Sequence, residues 1–142
     1  LGFKKEKVER VEVRYPNQTF ELKRSGTGWR LTQPERVDPI QGFIGNDILW
    51  TLNALAFESV VSSPPGGEVM GFNRPQLRVD LWDKNNQSQG HVEVGNPVLE
   101  SPGLHYLRVG EKSDTYTIKK RFLDEIQNNI NRFKKKPSTG RI

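Results

Sequence analysis

Gly28-Trp29-Arg30-Leu31-Thr32-Gln33-Pro34, with Asp38-Pro39 four residues on, is the stretch on which the fold turns. Trp29 and Leu31 alternate with Arg30 and Thr32, the two-residue period of a strand with one buried face. Pro34 stops that strand, because it lacks the N–H a ladder needs. Asp38 is a good N-cap and Pro39 a good first helical residue. Ile44, Ile48, Leu52 and Leu55 then recur at helical spacing, which predicts a helix from about Pro39 to Leu55. Gly42 and Gly45 inside it each cost up to about 1 kcal/mol relative to Ala, and a closely packed backbone nearby would explain them. Trp29 is expected in the core, locking its strand against that helix.

Upstream, Val11, Val13 and Tyr15 alternate with Arg10, Glu12 and Arg14, and Phe20 and Leu22 alternate with Thr19, Glu21 and Lys23. Pro16-Asn17 and Ser25-Gly26-Thr27-Gly28 are the turns, so three strands form an antiparallel meander. Downstream of the helix, Phe57 to Val61 is β-like, and Pro64-Pro65-Gly66-Gly67 is the strongest breaker in the chain. Gly71-Phe72-Asn73-Arg74-Pro75 is another turn. Leu77, Val79 and Leu81 mark a strand, Asn85-Asn86 its hairpin, and Val92 and Val94 the returning strand, closed by Gly95-Asn96-Pro97. Further strands are expected around His105 to Val109 and at Tyr116 and Ile118. Phe122, Ile126, Ile130 and Phe133 predict a second helix starting near Lys119.

Strands, helix, strands, helix is an α+β order, with helices packed on antiparallel sheet. The reading is of two antiparallel β-meander-plus-helix units, residues 8–63 and 71–133, within one domain over 8–133. A basic N-terminal segment, 1–7, and a basic disordered tail, 134–142, flank it.

At 142 residues the chain can bury one real core. With 33% hydrophobic and 27% charged residues it reads as a soluble, rather polar domain, and no run approaches the roughly 20 apolar residues of a membrane helix. The net charge of +5 is uneven. Lys4, Lys5, Lys7, Arg132, Lys134, Lys135, Lys136 and Arg141 hold eight of the 22 basic residues, whereas Glu6 alone of the 17 acids lies in these ends. Val8–Asn131 therefore carries 14 basic against 16 acidic residues, a net of about −2. A nucleic-acid domain carries positive charge on a folded face; here it sits on the ends, which read as solvated tails, so nucleic acid is not expected as a partner. Lys4, Lys5 and Lys7 also suit a juxtamembrane segment. The absence of Cys excludes disulfides and thiolate chemistry and does not fix the compartment.

No chemistry-bearing motif stands out. His91 and His105 would need each other and carboxylates such as Asp80 or Glu93 to hold a metal, and they lie in neither an HxxxH nor an HxH spacing. Asp80 with Asp83, and Asp124 with Glu125, are carboxylate pairs, but seventeen acids in a polar domain guarantee such neighbours. There is no Gly-x-Ser-x-Gly elbow, and Val94-Gly95-Asn96-Pro97 lacks the Gly-Lys-Thr/Ser continuation of a phosphate loop. No catalytic, cofactor-binding or metal-ligating residue is assigned, and no cofactor is expected. Trp82 shares its strand face with Arg78 and Asp80 and is expected to be partly exposed. Trp50 stands seven residues after Phe43, at an azimuth beside the main apolar stripe. Phe43 and Trp50 either widen the core contact or form a patch for another chain. Phe43, Trp50 and Trp82 are therefore the candidate partner contacts.

Val11-Glu12-Val13, Gly28-Trp29-Arg30-Leu31 with Pro34, the Asp38 helix start, Phe57-Glu58-Ser59-Val60-Val61, Gly71-Phe72 with Pro75, Val94-Gly95-Asn96 and Tyr106-Leu107-Arg108 occur in an order that resembles a bacterial family, domain-of-unknown-function family 4340. The resemblance covers about Val8 to Ile130. It implies an extracytoplasmic domain of a protein held by an N-terminal membrane helix, associated with ABC-type transport systems. It implies no catalytic residue. The expectation is a non-enzymatic, extracytoplasmic interaction domain of a membrane-anchored protein, accessory to an ABC-type transport or envelope complex. The rival is a small-molecule or glycan binding module, or an unrecognised hydrolase, which would need a concave pocket lined by Trp50 or Trp82.

Overall fold

A computed structural model describes residues 2–26, 28–37, 40 and 44–134. Among the described residues eight strands make one sheet in which every neighbouring pair is antiparallel. They are β1 (Arg10–Tyr15), β2 (Gln18–Ser25), β3 (Gly28–Gln33), β4 (Ser59–Val60), β5 (Leu77–Trp82), β6 (Ser88–Val98), β7 (Ser101–Val109) and β8 (Tyr116–Lys119). Their spatial order is β3-β2-β1-β5-β6-β7-β8-β4. Helices α1 (Ile44–Asn53) and α3 (Lys120–Lys134) pack together, and α2 (Gly67–Met70) is a single turn. The fold is α+β.

The period-2 pattern becomes rows of apolar side chains running across the sheet. Phe20, Val13, Val79 and Val92 stand opposite one another in successive strands. Leu77, Val94, Leu107, Tyr116 and Val60 form a second row. Ile48, Leu49 and Leu52 of α1 and Phe122, Ile126 and Ile130 of α3 close over these rows as one buried core. Trp29 is fully buried there. Its ring lies where a Cβ on Gly45 would stand, 2.5 Å away, and its Nε1 donates to Asn46 Oδ1 at 3.2 Å. Gly45 is thus required by an indole ring, not by the close backbone expected from the sequence. Gly42 lies outside the described residues.

The other sheet face is polar. Arg78 makes a two-pronged contact with Asp80 at 2.9 and 3.1 Å and reaches Glu93 at 3.3 Å. Hydrogen bonding to Asp80 is the main reason that its guanidinium holds its proton more tightly than usual. Arg10 pairs with Glu21 at 3.2 Å, and Arg14 with Glu12. One end of this face carries a small second cluster, Met70, Phe72 and Tyr106, flanked by Val61 and Val98. Gly95 admits it: a Cβ there would strike the Met70 carbonyl. Asn96 Nδ2 fixes the same contact by donating to Val69 O at 3.1 Å.

Several boundaries differ from the sequence reading. Ile40 is not helical: its N–H donates to Trp29 O at 3.0 Å, so the chain at that point still lies along β3. The Asp38-Pro39 helix start itself lies outside the described residues. The β-like run 57–61 contributes two paired residues. Gly95-Asn96-Pro97 does not end its strand; β6 passes through it to Val98 with register shifts against β7. Here α2 holds the segment down from the outer face. The two halves share one sheet, because β1 pairs with β5 and β4 crosses to pair with β8.

Candidate functional site

Trp50 is 61% exposed, so it does not widen the core. Helical geometry accounts for this: at about 100° per residue, Trp50 stands roughly 200° from Ile48, nearly opposite the buried stripe. The ring overlooks the seam between α1 and α3, which run antiparallel. Asp47 meets Arg132 at 2.8 Å at one end, and Ala54 and Leu55 lie near Phe122 at the other.

Two hollows meet at Trp50, Thr51 and Glu125. One, of about 350 Å³, extends past Leu55 to Ile118 and Phe122 on its floor and Glu58 on its rim. The other, of about 270 Å³, extends to Asp47 and Asn129. Together they form a groove along the helix pair. Thr51 is 7% exposed at its centre. The rim charges are paired, Lys119 with Glu58 at 3.3 Å and Arg121 with Glu125 at 3.0 Å. Beyond the rim, Phe57 is 48% exposed with its ring 4.4 Å from that of Tyr116, and Val60 is 51% exposed on edge strand β4. Two exposed apolar side chains therefore stand between the charged rim of the groove and the sheet edge.

Trp82 belongs to a different place. It is half-buried on the outer sheet face, and the Arg10 guanidinium covers its ring at 3.6 Å. Arg10 is held there by Glu21 and by Asn86 Oδ1, at 2.7 Å. Trp50 and Trp82 are not brought together, and Phe43 lies outside the described residues. The sequence reading did not assign Phe57, Thr51 or Glu125 to a site. The exposed pattern Trp50, Asn53, Ala54, Phe57 was visible on one flank, but its convergence with α3 depends on the tertiary fold.

The weaker candidates are structurally employed. His91 lies on the outer face opposite Asp80, whereas His105 is 4% exposed on the helix side with Nδ1 2.9 Å from Gly95 O. Asp83 accepts the N–H groups of Asn85 and Gln87 at 2.8 and 3.0 Å, capping the hairpin turn. Among the described residues no three His, Cys, Asp or Glu side chains gather as a metal site. No described helix is long and apolar enough to cross a membrane.

Comparison with known proteins finds no match among curated proteins and none among solved structures. One family profile, described as a domain of unknown function (DUF4340), matches residues 29–137. That span holds β3 to α3, including the Gly28-Trp29 strand from its Trp onward, both helices of the groove and the close approach of Met70 to Gly95. The chain belongs to the DUF4340 family.

Proposed function

We propose that this chain is a non-enzymatic, extracytoplasmic interaction domain of a membrane-anchored protein, accessory to an ABC-type transport or envelope complex. Its contact surface is the groove at Trp50. The observation that carries this reading is a tryptophan 61% exposed above the seam between α1 and α3, with Phe57 and Val60 exposed on the same side of the molecule. Large aromatics that can be desolvated by a partner dominate interface energies. Beside Trp50, Leu55 and Phe122 the groove also offers polar groups, Thr51, Asn128 and Asn129, to a partner. The two stretches β1 to α1 and β5 to α3 are, in this reading, variants of one meander-plus-helix plan, with the helices turned so that their seam faces a partner.

The test is Trp50→Asp in the full-length protein, together with a photo-crosslinking residue at position 50 in native membranes. The expected outcome is an unchanged circular dichroism spectrum, crosslinks to a transport-complex subunit, and at least tenfold weaker association of the Asp variant. Loss of folding, or unchanged association, overturns the proposal. A second reading has one observation in its favour: about 350 Å³ lies at the lower end of the range for small-molecule sites. Quenching of tryptophan fluorescence by a glycan or metabolite panel, lost in the Trp50→Phe variant under matched conditions, would favour it.

A further inference from the structure

The tryptophans of this chain are not covered alike. The Arg24 guanidinium lies over the Trp29 ring at 4.5 Å, and Arg10 over Trp82 at 3.6 Å. The Trp50 ring has no cation, ring or hydrogen-bond partner among the described residues. Two arginines stand along its seam, but each is held by a carboxylate, Arg121 by Glu125 at 3.0 Å and Arg132 by Asp47 at 2.8 Å. The indole face is therefore left open.

The floor beside it is polar and unspent. Thr51 is more than nine-tenths buried, yet its hydroxyl makes no hydrogen bond among the described residues. Nor is that hydroxyl sealed off: of the described side chains, only Tyr15 strands a polar atom out of reach of solvent. Thr51 Oγ1 thus keeps an opening, and the space Thr51 borders is the pair of hollows. Asn129, 8% exposed, is oriented by Arg132, whose Nη1 donates to its Oδ1 at 3.0 Å. Its Nδ2 is left without an acceptor among the described residues, and the same holds for the amide of Asn128. Both asparagines border the smaller hollow, of about 270 Å³. The acceptors there are Asp47 and Glu125. Their arginines take Oδ2 of the first and Oε1 of the second, so each keeps one carboxylate oxygen for a ligand. Burying a hydroxyl and an amide without partners costs stability, which a ligand bonded to both would restore.

We infer that the smaller hollow binds a neutral sugar ring. A pyranose has a C–H face that lies flat on an aromatic ring, whose own face is electron-rich. Around its equator it carries hydroxyls, each both donor and acceptor. That pairing of a flat apolar face with mixed hydrogen-bonding groups matches Trp50 beside Thr51, Asn128, Asn129, Asp47 and Glu125. The two carboxylates are already paired, so no net charge calls for a cation, and they repel a phosphate or carboxylate ligand. An apolar side chain from a partner would cover the Thr51 hydroxyl and the Asn129 amide without bonding either. This assignment rests on the Trp50 groove being the contact surface of the chain. It names what is presented there, a saccharide unit that is either free or carried on a larger molecule.

Chitotriose, cellotriose and mannotriose are titrated into the isotope-labelled 142-residue protein, and the Trp50 indole and Asn129 side-chain amide resonances are followed. At least one trisaccharide is expected to shift both resonances saturably. Thr51→Val keeps the side-chain shape and removes the hydroxyl, and it is expected to weaken that binding roughly fivefold, the worth of one hydrogen bond. Trp50→Ala is expected to weaken it about tenfold. Both variants should keep the wild-type circular dichroism spectrum, and Trp50, being exposed, serves alone should Thr51→Val misfold. The same sugar coupled to albumin should bind as the free one does, whereas binding of the conjugate alone would assign recognition to the carrier and overturn the inference. No shift with any of the three sugars, wild-type affinity in Thr51→Val, or tighter binding of trigalacturonate than of the neutral sugars would also overturn it. If the sugars fail while position 50 still crosslinks to a protein subunit, the sugar site falls and the contact surface stands. Unchanged association of Trp50→Asp removes the contact surface and the sugar site with it.

Discussion

The two faces of the sheet solve the same problem by opposite chemistry. The helix side is dry: leucines, valines and a tryptophan fill the space under α1 and α3, and burial supplies its stabilisation. The outer side is wet and ionic, with arginines laid between carboxylates and one small apolar cluster at the end covered by α2. Partly exposed ion pairs contribute little each, on the order of 1 kcal/mol or less. The helix side should therefore hold the fold, while the outer face keeps the sheet soluble and in register. The dry side contains the anomaly: Tyr15 Oη is buried without a hydrogen-bond partner among the described residues. Burial pushes its pKa up from 10.0 to about 12.

The comparison breaks most readily at Trp29. Trp29→Ala removes a fully buried ring between β3 and Gly45, and a loss of about 3–5 kcal/mol in urea unfolding is expected. A loss below 1 kcal/mol would show that the helix side is not the dominant core. Gly95→Ala probes the outer cluster. Its new methyl meets the Met70 carbonyl, so α2 must shift, and a smaller loss of about 1–3 kcal/mol is expected. Proteolysis within residues 61–72 should quicken in that variant.

Tyr15→Phe is the finest probe. Removing a stranded hydroxyl should leave stability at pH 7 unchanged or slightly higher. Because the folded pKa is raised, the folded state binds more protons than the unfolded state between pH 10 and about 12. The neutral phenol thus leaves stability independent of pH below pH 10, and stability falls as pH rises towards 12 and ionisation of the buried group opposes folding. The wild type should lose stability through that window relative to the Phe variant, measured by urea titration at each pH. Parallel curves for the two proteins would show that the hydroxyl is not desolvated.

Local pattern carried the strands whose neighbours are adjacent in sequence. The alternation in β1, β2, β3 and β5, the Asn85-Asn86 turn and the buried stripe of α3 were all legible, as was Trp29 as core. The pairings of β1 with β5 and of β4 with β8 were not, since each joins segments about 60 residues apart and no local residue choice encodes them. α2 was hidden because four residues are too few to show a period. Trp50 is a different failure. Its outward direction follows from 100° per residue measured from Ile48, and the sequence reading placed it beside the stripe instead.

The placement of the two edge strands has a mechanical side. β3 and β4 lie at opposite margins of the sheet, yet they are successive strands in the chain, joined through α1. Seven strand spacings of about 4.8 Å separate them, roughly 34 Å. α1 supplies about 15 Å along its axis, and the connecting residues must cover the remainder. The chain is thus a tie-rod across the helix face, bolted at Trp29 on one margin and at the Ser59–Thr117 hydroxyl pair, 2.7 Å apart, on the other. A load that peels either margin pulls on α1, so the margins and the groove floor yield together.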